Sequence, residues 1–103
     1  MTVTIVPAEE ILKFIKDQPD ARQVRHGENR GSDPVGNVLV HFAKSIGIKD
    51  PHVGFTLLQR NANGDELRIH ESFTTYSLAL YTRVLTDYKS VKSLIAKIKP
   101  VTP

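Results

Sequence analysis

Residues 61–65 read Asn-Ala-Asn-Gly-Asp, and alternating apolar residues flank them on both sides. Before the turn, Val53, Phe55 and Leu57 alternate with Gly54, Thr56 and Leu58. After it, Leu67, Ile69 and then Phe73 alternate with Arg68, His70 and Ser72. A period of two around an Asn-Gly turn is the signature of a β-hairpin. The pattern puts Val53, Phe55, Leu57, Leu67 and Ile69 on one face. Leu58 falls on the other, with Arg60 and His70. A lone hairpin is marginal in water, so its apolar face must pack on helices or a further strand.

The rest of the chain supplies those elements. Residues 2–6, Thr-Val-Thr-Ile-Val, read as a short β-branched strand. Pro7 then starts a helix over about 7–17, with Glu9 and Glu10 in the first turn suiting the helix dipole and Ile11, Leu12, Phe14 and Ile15 as its stripe. Asp33-Pro34 pairs an N-cap acid with a proline at the first helical position. Val35, Val38, Leu39, Phe42 and Ile46 follow at helical spacing, and Gly47 provides a left-handed stop, so a second helix spans about 34–46. Val40 lies opposite that stripe, so this helix is either covered on both sides or meets a partner. Residues 74–85 fit both periods. Helix is preferred, because Thr74 or Thr75 suits a cap and Leu and Ala are plentiful. In that reading Leu78, Tyr81, Leu85 and Tyr88 share a row. Val91, Leu94, Ile95 and Ile98 mark a last helix over about 88–98, ended by Pro100. The expected fold is α+β, with three or four helices packed on a β-hairpin or small antiparallel sheet.

At 103 residues the chain suits a single domain, 1–103, with a core of its own. It has no cysteine, which removes disulfides and thiolate metal sites. No apolar run approaches the roughly 20 residues that span a bilayer, and the opening residues do not resemble a signal peptide. A cytoplasmic protein that does not enter the membrane is expected. Net charge is +3: residues 1–50 balance seven basic against seven acidic residues, while residues 51–103 hold seven against four. That excess is ordinary for solubility and does not by itself require an acidic partner.

Residues 18–33 contain only Ala21 and Val24 as apolar side chains, yet carry Arg22, Arg25, His26 and Arg30 beside Gly27 and Gly31. Loops of this length are commonly functional or disordered. The arginines and backbone N–H groups would suit an anion, including a nucleic-acid phosphate. The bland alternative pairs them with Asp20, Glu28 and Asp33. Within the loop, Arg25-His26-Gly27-Glu28 resembles the opening motif of the histidine phosphatase family. That resemblance implies phosphoryl transfer through His26. It covers four or five residues. The preceding Pro-Asp-Ala-Arg-Gln-Val does not make the buried parallel strand that the family's motif follows, and none of His41, His52 and His70 has the late glycine-flanked setting of its second histidine. A phosphate-handling enzyme therefore ranks last.

The four histidines match no local ligand spacing, so no metal and no cofactor is expected, and His41 and His70 read as boundary or exposed residues. No nucleophile elbow or phosphate-binding glycine loop is present, and no catalytic residue is nominated. The last helix carries Lys89, Lys92, Lys97 and Lys99, which suit its C-terminal dipole and would also suit phosphates. Three Tyr, four Phe and no Trp make a thin stacking platform for single strands.

The leading expectation is a non-enzymatic interaction or regulatory protein that binds another protein or itself. A compact inhibitor of the kind a phage or mobile element encodes has this anatomy. The alternative is a nucleic-acid-associated domain using the arginine loop and the lysine helix.

Overall fold

The computed structural model describes residues 2–24, 34–49, 51, 53–54, 57–82 and 85–98. Arg25, His26 and Arg30, the rest of the phosphatase-like motif, and Lys99 lie outside them. The elements run β1 (Val3–Val6), α1 (Ala8–Asp17), α2 (Pro34–Ser45), β2 (Leu57–Arg60) and β3 (Glu66–Ile69), then a 3-10 turn (Glu71–Phe73), α3 (Thr74–Tyr81) and α4 (Tyr88–Ala96). Four helices pack with a three-stranded mixed sheet, which makes a small α+β fold.

The hairpin forms where the Asn-Gly signal put it. Gly64 alone carries the left-handed backbone, with φ 85°, while Asn63 keeps a negative φ. Asn61 Oδ1 accepts from the N–H groups of Asn63 (3.0 Å) and Asp65 (2.9 Å), which fixes the turn. Of the alternating residues before it, Phe55 and Thr56 lie outside the described residues, and β2 runs from Leu57 to Arg60. Leu57 pairs with Arg68 but Gln59 pairs with Leu67, so Leu58 is an extra residue, a β-bulge. The bulge reverses the parity of the strand. Leu58 is fully buried, and Leu57 is only half-buried. Leu58 therefore belongs to the core rather than to the face of Arg60 and His70.

β1 joins the sheet as a third strand, parallel to β3, in the order β1-β3-β2. Its start is tied to the hairpin turn. Asp65 Oδ1 accepts from the Thr2 N–H (2.8 Å) and from the Thr2 hydroxyl (3.0 Å). These bonds, the Thr2 amide first, then Asn61, hold the Asp65 carboxyl below the usual aspartate range.

The helices cover the inner side of the sheet. α2 ends as expected at Gly47, φ 98°. There Gly47 N–H reaches Lys44 O and Ile48 N–H reaches Ala43 O (both 3.1 Å), the two bonds of a Schellman motif. Val35 and residues 37–43 are all buried, Val40 included. Buried residues thus lie on both sides of the helix, while Lys44 and Ser45 are exposed and Ile46, expected in the stripe, is 48% exposed. His41, expected at a boundary, is buried too, with Nδ1 2.9 Å from the Tyr88 hydroxyl. Tyr88 reaches across from α4 and explains the burial: its hydroxyl gives the imidazole a partner inside the core.

Residues 74–81 are helical, but with a different buried row. Phe73, Tyr76, Ser77 and Leu80 are buried, while Leu78 is 53% and Tyr81 61% exposed. Apolar residues surround this helix, so sequence periodicity does not choose its inner face.

α4 begins at Asp87, whose carboxylate accepts from the Ser90 N–H (3.0 Å) and hydroxyl (2.8 Å). Those bonds, the amide first, lower the Asp87 pKa from its ordinary value. A lowered folded-state pKa means that the cap stabilises the protein above the normal aspartate titration. That contribution is lost as pH falls through the lowered value. Asp87→Ala should melt at a lower temperature than the parent at neutral pH. The gap between the two should close on acidification, as pH falls below the ordinary aspartate range and through the lowered Asp87 value. A gap that stays constant in acid would show that the carboxylate is not the cap.

Candidate interaction surfaces

Of the basic residues expected in the loop and in the last helix, Arg22, Lys89, Lys92 and Lys97 are among the described residues. Arg22 donates to the Gln18 side chain, and its guanidinium carbon lies 5.8 Å from the Tyr88 ring centroid. Lys92 Nζ donates to Gln18 O and to Asp20 Oδ1, the latter at 2.7 Å. Around them the backbone forms a strap. Lys89 N–H bonds Asp20 O (3.0 Å), Tyr88 N–H bonds Arg22 O (2.9 Å), and Val24 N–H bonds Thr86 O (2.9 Å). Gln23 bridges Asp87, and Asn37 Nδ2 donates to Val24 O at 2.9 Å. Residues 20–24 are thus bound to the start of α4, with Val24 fully buried. Two of the expected anion-binding cations, Arg22 and Lys92, hold this strap in place. The Lys92–Asp20 pair is partly exposed, so its own contribution is about 0.2–1 kcal/mol.

The other two described cations sit elsewhere. Lys89 and Lys97 line a shallow groove of about 400 Å³ along α4, with Ser90, Ser93, Leu85 and Leu94.

A larger groove lies between α1 and α4. It measures about 650 Å³ and is lined mostly by apolar surface. Leu12, Ile15 and Ile95 form its floor, and Lys13, Lys16 and Glu9 stand on its α1 side. The sequence explains the arrangement. Glu9, Leu12, Lys13 and Lys16 are spaced i, i+3, i+4 and i+7, so they share one face of α1. Lys92, Ile95 and Ala96 do the same on α4. Neither Leu12 nor Ile95 reaches the buried centre of the core; both are half-buried against its rim. Periodicity alone assigned them to the core stripes, and only the packing of α1 beside α4 shows that they line a groove.

His70 is exposed and caps the 3-10 turn, its Nδ1 accepting from the Ser72 N–H at 3.1 Å. Among the described residues no three His, Asp or Glu side chains gather as a metal site, and no helix is long and apolar enough to cross a membrane. Compared with the known protein families, with curated proteins and with solved structures, the chain finds no match in any of the three.

Proposed function

We propose that this chain is a non-enzymatic, cytoplasmic protein-interaction module that docks an amphipathic helix of its partner in the α1–α4 groove. The apolar floor between two helices, rimmed by Lys13 and Lys16, carries this reading. α1 is ten residues long, or about 15 Å, which matches two to three turns of a partner helix. Helix-in-groove recognition uses apolar anchors at i, i+3, i+4 and i+7. The lysines select the partner's charge. Lys92 is held by Asp20, whereas Lys13 and Lys16 lie on the open side, so acidic residues flanking the partner's apolar stripe complement the rim. A small regulator or inhibitor works by such docking.

The test uses a 12- to 15-residue helical peptide with leucines on one face and glutamates beside them, titrated into the whole protein. Binding should weaken at least about tenfold in the Lys13→Glu, Lys16→Glu double variant and stay unchanged in Lys89→Ala, Lys97→Ala. In parallel, nuclease-treated host lysate is passed over the parent and both variants. A discrete protein retained by the parent and lost from the Lys13, Lys16 variant supports the module. Equal retention on all three removes the groove from the account.

A second reading rests on the Lys89–Lys97 groove with its two serines, which suits a phosphate backbone. It requires affinity that falls steeply with salt and retention that vanishes with nuclease.

A further inference from the structure

The two edges of the sheet are unlike. β2 is guarded: it carries the Leu58 bulge and the charged Arg60, both of which discourage pairing with another strand. β1 has neither device. Thr2 to Val6 contains no charge, no proline and no bulge. Its side chains also leave apolar surface in water, with Val3 55% and Ile5 48% exposed.

The hydrogen bonds show which backbone groups are turned outward. Glu66 N–H bonds Thr2 O (2.8 Å) and His70 N–H bonds Val6 O (2.9 Å). Even-numbered residues of β1 therefore face β3. In a pleated strand the alternate residues turn their N–H and C=O the other way, so those of Val3 and Ile5 point to the edge that no strand among the described residues pairs with. The same two residues lie on the outer face of the sheet, at the positions paired with Glu66 and Arg68. Glu66 is held there by both Arg60 and Arg68 (2.6 and 2.7 Å from the arginine Nε atoms). The Glu66 carboxylate beside Val3 is thus already answered within the sheet.

We propose that the free edge of β1 pairs antiparallel with β1 of a second copy of this chain, about a two-fold axis through Thr4. The strand is self-complementary in that register. Val3 lies opposite the partner's Ile5, Ile5 lies opposite the partner's Val3, and Thr4 faces its own copy. Both Val3–Ile5 pairs are hydrogen-bonded pairs, giving about four bonds across the axis. The four exposed β-branched side chains then cover one another on the outer face. The product is a continuous six-stranded sheet whose outer edges are the two guarded β2 strands, so assembly stops at the dimer. A pairing this short buries less than a standard interface, so the dimer should form in the micromolar range or above. The inference uses no residue of the α1–α4 groove and stands apart from that reading.

Sedimentation of the whole protein from about 10 μM to about 1 mM tests it, together with amide hydrogen exchange at both ends of that range. The weight-average mass should rise from one chain, 11.5 kDa, towards two. The Val3 and Ile5 amides should gain protection at high concentration only. The Val3→Lys, Ile5→Lys variant should sediment as one chain throughout. Its Glu66 and His70 amides should stay protected, showing that β1 still pairs with β3. One-chain mass up to 1 mM overturns the proposal. So does a dimer that survives in the variant, or one in which the Val3 and Ile5 amides exchange freely at every concentration.

Discussion

Replacing Leu58 by Ala should remove about 2–5 kcal/mol of stability, whereas the same change at Leu57 should remove less than about half of that. The two residues are neighbours with identical side chains, and regular alternation assigns the core to Leu57. The bulge assigns it to Leu58, which has no exposed surface and belongs to the cluster with Ile69 and Phe73. Truncation there deletes buried methyl groups and leaves a cavity in a closely packed interior. A domain of this size holds about 5–15 kcal/mol in total, so the loss at Leu58 is a large share. Each kcal/mol corresponds to about 4–8 °C in Tm. Urea or thermal unfolding of the two variants side by side decides the matter. Equal losses, or a larger one at Leu57, would mean that β2 pairs without the bulge.

Tyr88 is the second position where a large effect is expected. Its side chain is fully buried at the first residue of α4. The hydroxyl meets His41 Nδ1, and the ring stands edge-on to Phe14, with centroids 6.3 Å apart. Phe14 in turn meets Phe42 edge-on at 5.6 Å. One side chain therefore joins α4, α2, α1 and the strap that carries Arg22. Tyr88→Ala should cost about 3–5 kcal/mol. Tyr88→Phe keeps the ring and removes the hydroxyl, and with it the bond to His41, which should cost about 1–2 kcal/mol. The difference between the two variants in denaturant separates ring packing from the polar contact. A Tyr88→Phe variant as unstable as Tyr88→Ala would make the hydroxyl, not the ring, the dominant contribution.

Local chemistry made most of the elements readable. Asn-Gly marked the hairpin, Pro34 and Gly47 bounded α2, and β-branched residues marked β1. These signals act within a few residues of the structure they produce. What the sequence left open depends on contacts between distant segments. The bulge at Leu58 inverts the alternation of β2, and nothing near it announces the extra residue. His41 looks like a boundary residue until Tyr88, 47 positions later, supplies its partner. Leu78 and Tyr81 look as apolar as Tyr76 and Leu80, so the inner row of α3 is set by its neighbours. The same holds for the candidate surfaces. Arg22 and Lys92 read as candidate anion-binding cations, with pairing to loop acids as the alternative for Arg22; in the fold they fasten the strap. Lys13 and Lys16 carry no signal in the sequence, and become a rim only when α4 lies beside α1.

The parallel pairing of β1 with β3 has a consequence for the growing chain on the ribosome. Thr2 and its partner Asp65 are 63 residues apart. At 5–20 residues per second, roughly 3–13 s pass between synthesis of the first strand and arrival of its mate. Throughout that interval Thr-Val-Thr-Ile-Val is a β-prone segment with no ladder to join. A neighbouring nascent chain on the same message presents the same segment at high local concentration. The order of synthesis thus exposes both edges of this strand to its twin before β3 can claim one of them.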